Sequence, residues 1–329
     1  MARPHPAVAV CLSAWLALHP PAARAAELLA PGVISTAHNE TSASLTPDRR
    51  ELYFMRGDLV SGDSAILVAQ RDGARYRNVR IAPFSGVWKD SEPHVSPDGK
   101  RLYFVSNRPA VAGGEGLVAT RGRQSFPGAN LWYVERQGAG WGAPVRIEGE
   151  VNRVPMVYNP SVAANGNLYF SAHREDSGAA YQIYVAKPDG QGYGAPQRID
   201  LGIGVKGNHM DPAIDPQERY LLFAGDEGDS AGAADIYIAF RSADGGWGTP
   251  LRLPGEVNSA YLENAPALGR DFGELLVTSM RPAPARFPKP AQDLEAFTRR
   301  LDDPLNGSRN VWRFDIAPLL REHGIDAPG

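Results

Sequence analysis

Five times along the chain one short pattern returns: a turn, usually built on proline, followed by a strand that is apolar on both faces. The clearest copy is EPHVSPDGKRLYFVSNR, from Glu92 to Arg108. SASLTPDRRELYFMR starts at Ser42, NPSVAANGNLYFSAHR at Asn159, DPAIDPQERYLLFAGDE at Asp211 and APALGRDFGELLVTSMR at Ala265. With Pro47, Pro97, Ala164, Pro216 and Arg270 taken as equivalent, the steps are 50, 67, 52 and 54 residues. A second segment follows each copy, at 65–70, 130–136, 182–187, 235–240 and 310–315. A third follows four of them, at 76–81, 141–147, 193–199 and 247–253. A period of this length constrains the fold more than any other feature of the chain.

One copy shows the physics. In Ser96-Pro97-Asp98-Gly99, proline sits where φ near −65° is wanted and glycine where a left-handed residue ends a type I turn. The turn predicts two antiparallel strands, near 93–96 and 101–106. The second of these, Leu102-Tyr103-Phe104-Val105, does not alternate with polar residues, as expected when both sides of a strand are covered. Asp189-Gly190 and Asp244-Gly245-Gly246 mark a later hairpin in each unit. Each unit is therefore a four-stranded antiparallel sheet covered by a neighbour on each face. A sheet of about 50 residues with two apolar faces cannot stand alone. The expected fold is all-β, a β-propeller of five blades around a central channel.

The fifth copy lacks a fourth strand after 310–315, and Leu28 to Thr36 (LLAPGVIST) resembles the missing one, Ala-Pro-Gly-Val-Ile echoing Ala-Pro-Val-Arg-Ile at 143–147. The N-terminal strand is thus expected to complete the last blade and leave no open edge. A sixth blade is the alternative count. It has little room, with 16 residues between position 25 and Ser42 and 14 after Asp315.

Residues 1–25 read as a secretory leader: Arg3, the apolar run Ala7–Leu18, Pro20 and Pro21, then Ala23-Arg24-Ala25 as a small-x-small cleavage site. That run is too short to span a bilayer as a helix, so a periplasmic or secreted protein is expected, comprising a single propeller domain over 26–329. The sole cysteine, Cys11, lies in the leader, and its removal excludes disulfides and thiolate chemistry from the rest. Removing Arg3 and Arg24, the leader's only charged residues, takes the net charge from −3 to −5. With no excess of Lys and Arg to displace counterions, nucleic acid is disfavoured as a partner.

SEPHVSPDGKRLYFVSNRP and DIYIAFRSADGGWGTPLRL resemble the repeats of the TolB-like β-propellers, and the resemblance extends over about residues 28–316. It implies an exported propeller that binds a protein, a peptide or another envelope component.

The start of the innermost strand of each blade faces the channel. The alignment places Glu40 or Ser42, Glu92, Asn159, Asp211, and Glu263 or Asn264 at that mouth, with His38, His94 and His209 nearby. Such a ring would grip polar groups of a ligand or hold a hard cation such as Ca²⁺, although no cofactor is required. The other reading is that these groups line a water-filled channel and cap strand ends. Arg56, Arg108, Arg174 and Arg281 recur at one position and read as structural, pairing with a turn Asp or with carbonyls of an adjacent blade. Tyr76, Trp141, Tyr193 and Trp247 read as covers for blade edges. Two insertions break the repeat, Ala110–Asn130 and Pro282–Arg309. The second carries Leu294, Phe297 and Leu301 at helical spacing. The two insertions are expected to rim one mouth of the channel as a lid, the alternative being plain surface decoration.

No Gly-x-Ser-x-Gly elbow, His-Glu-x-x-His helix or phosphate-binding Gly-Lys-Ser/Thr loop occurs. The primary expectation is therefore a non-catalytic propeller that binds a protein or peptide at the channel mouth. The alternative is a carbohydrate-active hydrolase or lyase using Glu92, Asp211 and Glu263, since five-bladed propellers can host paired carboxylates across the channel.

Overall fold

The computed structural model describes residues 26–327, except 59, 60, 122, 191 and 229. The leader therefore lies outside the described residues. Five antiparallel sheets follow one another along the chain. Blade 1 comprises Asn39–Leu45, Glu51–Gly57, Ser64–Asp72 and Arg75–Ile81. Blade 2 comprises Asp90–Val95, Arg101–Ser106, Asn130–Gln137 and an outer strand broken into Gly140–Trp141 and Val145–Arg146. Blade 3 comprises Val157–Val162, Leu168–Ala172, Gln182–Ala186 and Gln197–Arg198. Blade 4 comprises His209–Ile214, Tyr220–Gly225, Asp235–Phe240 and Leu251–Arg252. Blade 5 comprises Glu263–Leu268, Glu274–Ser279 and Asn310–Asp315, completed by Glu27–Leu28. Among the described residues no helix is long and apolar enough to cross a membrane.

The two apolar faces of each second strand are used as expected. Leu102 and Phe104 pack against blade 1, with Tyr53, Ile66 and Val68, while Tyr103 and Val105 pack against blade 3, with Leu168 and Phe170. The same division recurs around the ring, so the buried apolar residues form five clusters, one at each junction between blades. Burial of a side chain such as Phe104, which is fully inaccessible, contributes about 1.5–3 kcal/mol. The fifth junction joins blade 5 to blade 1 and contains Leu29 and Ile34 beside Leu45, Phe54, Leu276 and Val311.

Closure by the N-terminus occurs, but not in the expected register. Glu27 pairs with Arg313 and Leu28 with Trp312. The N–H of Leu29 donates to the carbonyl of Val311 at 2.9 Å, as Ile147 donates to Leu131 and Ile199 to Ile183. Leu29, not Ile34, thus takes the place of Ile147. The Pro31-Gly32 turn then folds the chain inward and buries Ile34. Two segments ending in an apolar residue competed for one position, and the motif Ala-Pro-Gly-Val-Ile pointed to the wrong one.

The recurrent aromatics cover blade junctions. The indole N–H of Trp141 donates to the Tyr53 hydroxyl at 2.7 Å, the hydroxyls of Tyr193 and Tyr103 lie 3.2 Å apart, and Trp247 packs in the cluster that holds Tyr169. The helix foreseen in the second insertion forms at Leu294–Leu301, but none of its residues is buried, and Leu294, Phe297 and Leu301 are exposed. The other insertion projects a hairpin, Val118–Arg121 with Gln124–Pro127.

Candidate functional site

Every innermost strand contains one register slip against its neighbour. At the slip stands a residue of left-handed backbone, Ser42, Glu92, Asn159, Asp211 or Ala265, with φ of 56°, 56°, 51°, 57° and 46°. None is glycine, so each costs about 1 kcal/mol or more, and a bulge of this kind re-aims a side chain out of the ladder. Proline follows in four of the five (Pro93, Pro160, Pro212, Pro266). Having no N–H to donate, it suits a strand whose free edge borders the channel. All five slip residues line the channel.

The slips also join blades. Glu92 Oε2 accepts the backbone N–H of Asn159 at 2.6 Å, and Asp211 Oδ2 accepts that of Ala265 at 2.8 Å. Two residues on from the slips a second set of acceptors clasps the next blade: Ser44 accepts from Val95, His94 Nε2 from Val162 at 3.0 Å, and Ser161 from Ile214. His94 therefore takes the place of two serines. Burial, reinforced by the Arg270 charge, holds its pKa down to about 3, so it stays neutral and its accepting nitrogen is committed. Below the mouth the channel narrows to about 60 Å³, room for about two waters.

The mouth itself opens into a pocket of about 180 Å³. Glu92, Asp211, Asn159 and Asn264 meet there, joined by Ser42, Tyr158, Lys89 and Arg309. Glu92 keeps part of its surface open to the pocket, yet the surrounding protein removes most of its hydration. That burial, together with the Asp211 charge, pushes its pKa up to about 8. Burial also raises the Asp211 carboxyl, opposed by the N–H of Ala265 and the charge of Arg309. The guanidinium of Arg309 is itself pushed down by burial and held up by Asp211 and Glu92. Two carboxyl groups therefore share one axial site with the Arg309 guanidinium; burial raises both, and the Asp211 charge raises Glu92 further.

Other expected site residues lie elsewhere. Glu40 and Glu263 precede the slip residues by two positions and are fully buried inside their own blades. Arg56 donates to Glu40 at 2.7 Å, and Arg281 lies 3.3 Å from Glu263. Asp90, at the equivalent place in blade 2, is held by Arg108. The recurrent arginines are structural: Arg56, Arg108 and Arg281 hold acids at the start of the innermost strand and not in turns, whereas Arg174 reaches Glu150 in the short turn Glu150–Asn152. Arg108 and Arg281 add carbonyls of Phe84 and Val257. In blade 4 the pair is reversed in kind: His209, buried, bonds Gln182 and Glu227. Glu40 and Glu263 are thus consumed by contacts with arginines of their own blades, and His209 by Gln182 of blade 3 and by Glu227; none of them lines the mouth, and His38 is exposed. Among the described residues no group of three or more His, Cys, Asp or Glu is placed to hold a metal. The sequence reading missed Lys89 and Arg309. The signal for Arg309 was its position, as the last residue of an insertion that breaks the repeat.

No protein-family profile matches the sequence, and no curated protein is similar to it. Solved structures share its fold. A thermostable family-43 glycoside hydrolase matches with a TM-score of 0.51 at 12% identity, covering 86% of this chain and 89% of that one. An alpha-L-arabinofuranosidase from Lactobacillus brevis matches at 0.50 and 12%, covering 87% and 92%. A putative TolB from Agrobacterium tumefaciens matches at 0.47 and 15%, covering 84% and 90%. Of the resemblance to TolB-like repeats, the propeller fold is what the five sheets show. The expectation of a non-catalytic binding protein is corrected. Two solved structures that share the fold with TM-scores of 0.50 and 0.51 are described as an alpha-L-arabinofuranosidase and a family-43 glycoside hydrolase.

Proposed function

We propose that the protein is a carbohydrate-active hydrolase working at the axial mouth, with Glu92 as proton donor to the leaving glycosidic oxygen and Asp211 as the ionised carboxylate that assists attack at the sugar carbon. The observation that carries this reading is the buried, mutually coupled pair Glu92 and Asp211 on the pocket floor, one carboxyl pushed up to about 8 by burial and by the other's charge. Glycoside hydrolysis needs such a division, an acid that holds its proton at neutral pH beside a carboxylate that does not. Each carboxyl accepts a backbone N–H of the next blade, which fixes its orientation at the pocket. The shared fold with proteins described as glycoside hydrolases supports the same reading. Export is part of the proposal, resting on the leader-like segment 1–25 and on a remainder without cysteine.

The test is release of reducing ends from a broad glycan panel. The parent should hydrolyse at least one member, while Glu92→Gln and Asp211→Asn, folded as the parent by circular dichroism, should not. Hydrolysis of none by the parent, or undiminished rates in both variants, would refute the assignment.

A further inference from the structure

The same pocket carries two cations that make no direct ion pair with its carboxylates. Lys89 leads into the first strand of blade 2, and Arg309 ends the insertion of blade 5. Arginines elsewhere at this end of the ring are neutralised by direct contact, Arg56 by Glu40, Arg108 by Asp90 and Arg281 by Glu263. Lys89 and Arg309 differ: among the described residues neither takes part in an ion pair, and Arg309 Nε is buried without a hydrogen-bond partner. A buried guanidinium N–H lacking an acceptor is costly. The third acid of the rim, Asp58, faces its own loop, where Oδ1 accepts the N–H of Ser61 at 2.6 Å. An uncharged sugar would offer hydroxyls to both cations and neutralise neither. An oxyanion satisfies a guanidinium and an ammonium together, through charge-assisted bonds.

Building on the glycosidase reading, we propose that the saccharide unit accepted by this pocket is anionic, its carboxylate or sulfate ester received jointly by Lys89 and Arg309. The anion binds on the cationic wall while the glycosidic oxygen lies toward Glu92. Lys89 and Arg309 are thereby specificity determinants.

The experiment compares hydrolysis by the protein of matched oligosaccharides containing glucuronate or galacturonate, of sulfated ones, and of their neutral counterparts. Calorimetric binding of free galacturonate and galactose accompanies it. The acidic member should be preferred in kcat/KM by about tenfold or more, mostly through KM. Lys89→Met should erase that preference and Lys89→Arg restore it. Preference for uronate alone identifies a carboxylate, and for sulfated sugar alone a sulfate, each supporting an anionic substrate. Neutral glycans turned over as well as acidic ones would overturn the inference and leave the glycosidase reading standing. Galacturonate bound through Lys89, with no glycan hydrolysed, would support the anionic pocket and remove the glycosidase reading. Neither binding nor hydrolysis would overturn both.

Discussion

The carboxylate of Glu92 in blade 2 accepts the backbone N–H of Asn159 in blade 3 at 2.6 Å, so the group assigned to proton transfer also ties two blades together. The two roles separate by substitution. Glu92→Gln keeps an acceptor for Asn159 and should melt within about 1 kcal/mol of the parent. Glu92→Ala leaves that N–H unanswered and should lose about 1–3 kcal/mol. Both should reduce turnover by about 10²–10⁴-fold. Denaturant unfolding beside the glycan assay distinguishes them.

The pH dependence has a defined sign. Activity should rise as Asp211 ionises, above the ordinary aspartate range because burial raises that group, and fall as pH passes about 8, where Glu92 loses its proton. Stability follows the same proton. Between its ordinary 4.5 and about 8, Glu92 is protonated in the folded chain and ionised in the unfolded one. Its contribution is therefore complete below about 4.5 and disappears as pH climbs through about 8, at a slope of at most about 1.4 kcal/mol per pH unit. Unfolding free energies measured across this range should decline less steeply in Glu92→Gln.

Arg108 and Asp90 form a buried pair off the axis, where burial raises the Asp90 carboxyl even with the guanidinium beside it. Such a pair adds little net stability, yet removing one partner strands the other. Arg108→Met should cost about 3–5 kcal/mol by denaturant unfolding. Arg299→Ala, which breaks an exposed pair with Glu295, should change stability by under about 0.5 kcal/mol. Glu263→Gln should lower stability while leaving turnover per folded molecule intact, since Glu263 does not line the pocket.

Ring closure predicts where the protein opens first. Leu29 and Ile34 seal the junction of blades 5 and 1, so Leu29→Ala or Ile34→Ala should cost about 2–5 kcal/mol. Amide exchange should accelerate first in Asn310–Asp315, the strand that Glu27–Leu28 covers. Faster exchange spread evenly over all five blades would contradict closure at this junction.

Much of the architecture was legible because each blade repeats one physical solution. The doubly apolar Leu102-Tyr103-Phe104-Val105 announced a neighbour on each side, and Gly99 adopts the left-handed φ of 70° that its turn required. The site was harder to read. Glu40 and Glu92 both stand near the start of an innermost strand, but a single register slip decides which carboxylate enters the channel, and no residue type marks the slip: serine, glutamate, asparagine, aspartate and alanine all occupy it. Glu40 and Glu263 were candidates because the arginine that binds each lies 16 or 18 residues downstream, a pairing visible only once the strands align. His94 read as a ligand because its kinship with Ser44 and Ser161 is one of backbone geometry. Arg309 reaches the mouth through the path of an insertion, which no repeat pattern encodes.

The central claim is that two axial carboxyls are coupled so that one keeps its proton at neutral pH. Carbon-13 NMR titration of the Glu92 side-chain carboxyl, in the parent and in Asp211→Asn, measures this directly. The account predicts a midpoint near 8 in the parent and a lower one when the aspartate charge is removed. A midpoint near 4.5 in both proteins would contradict it.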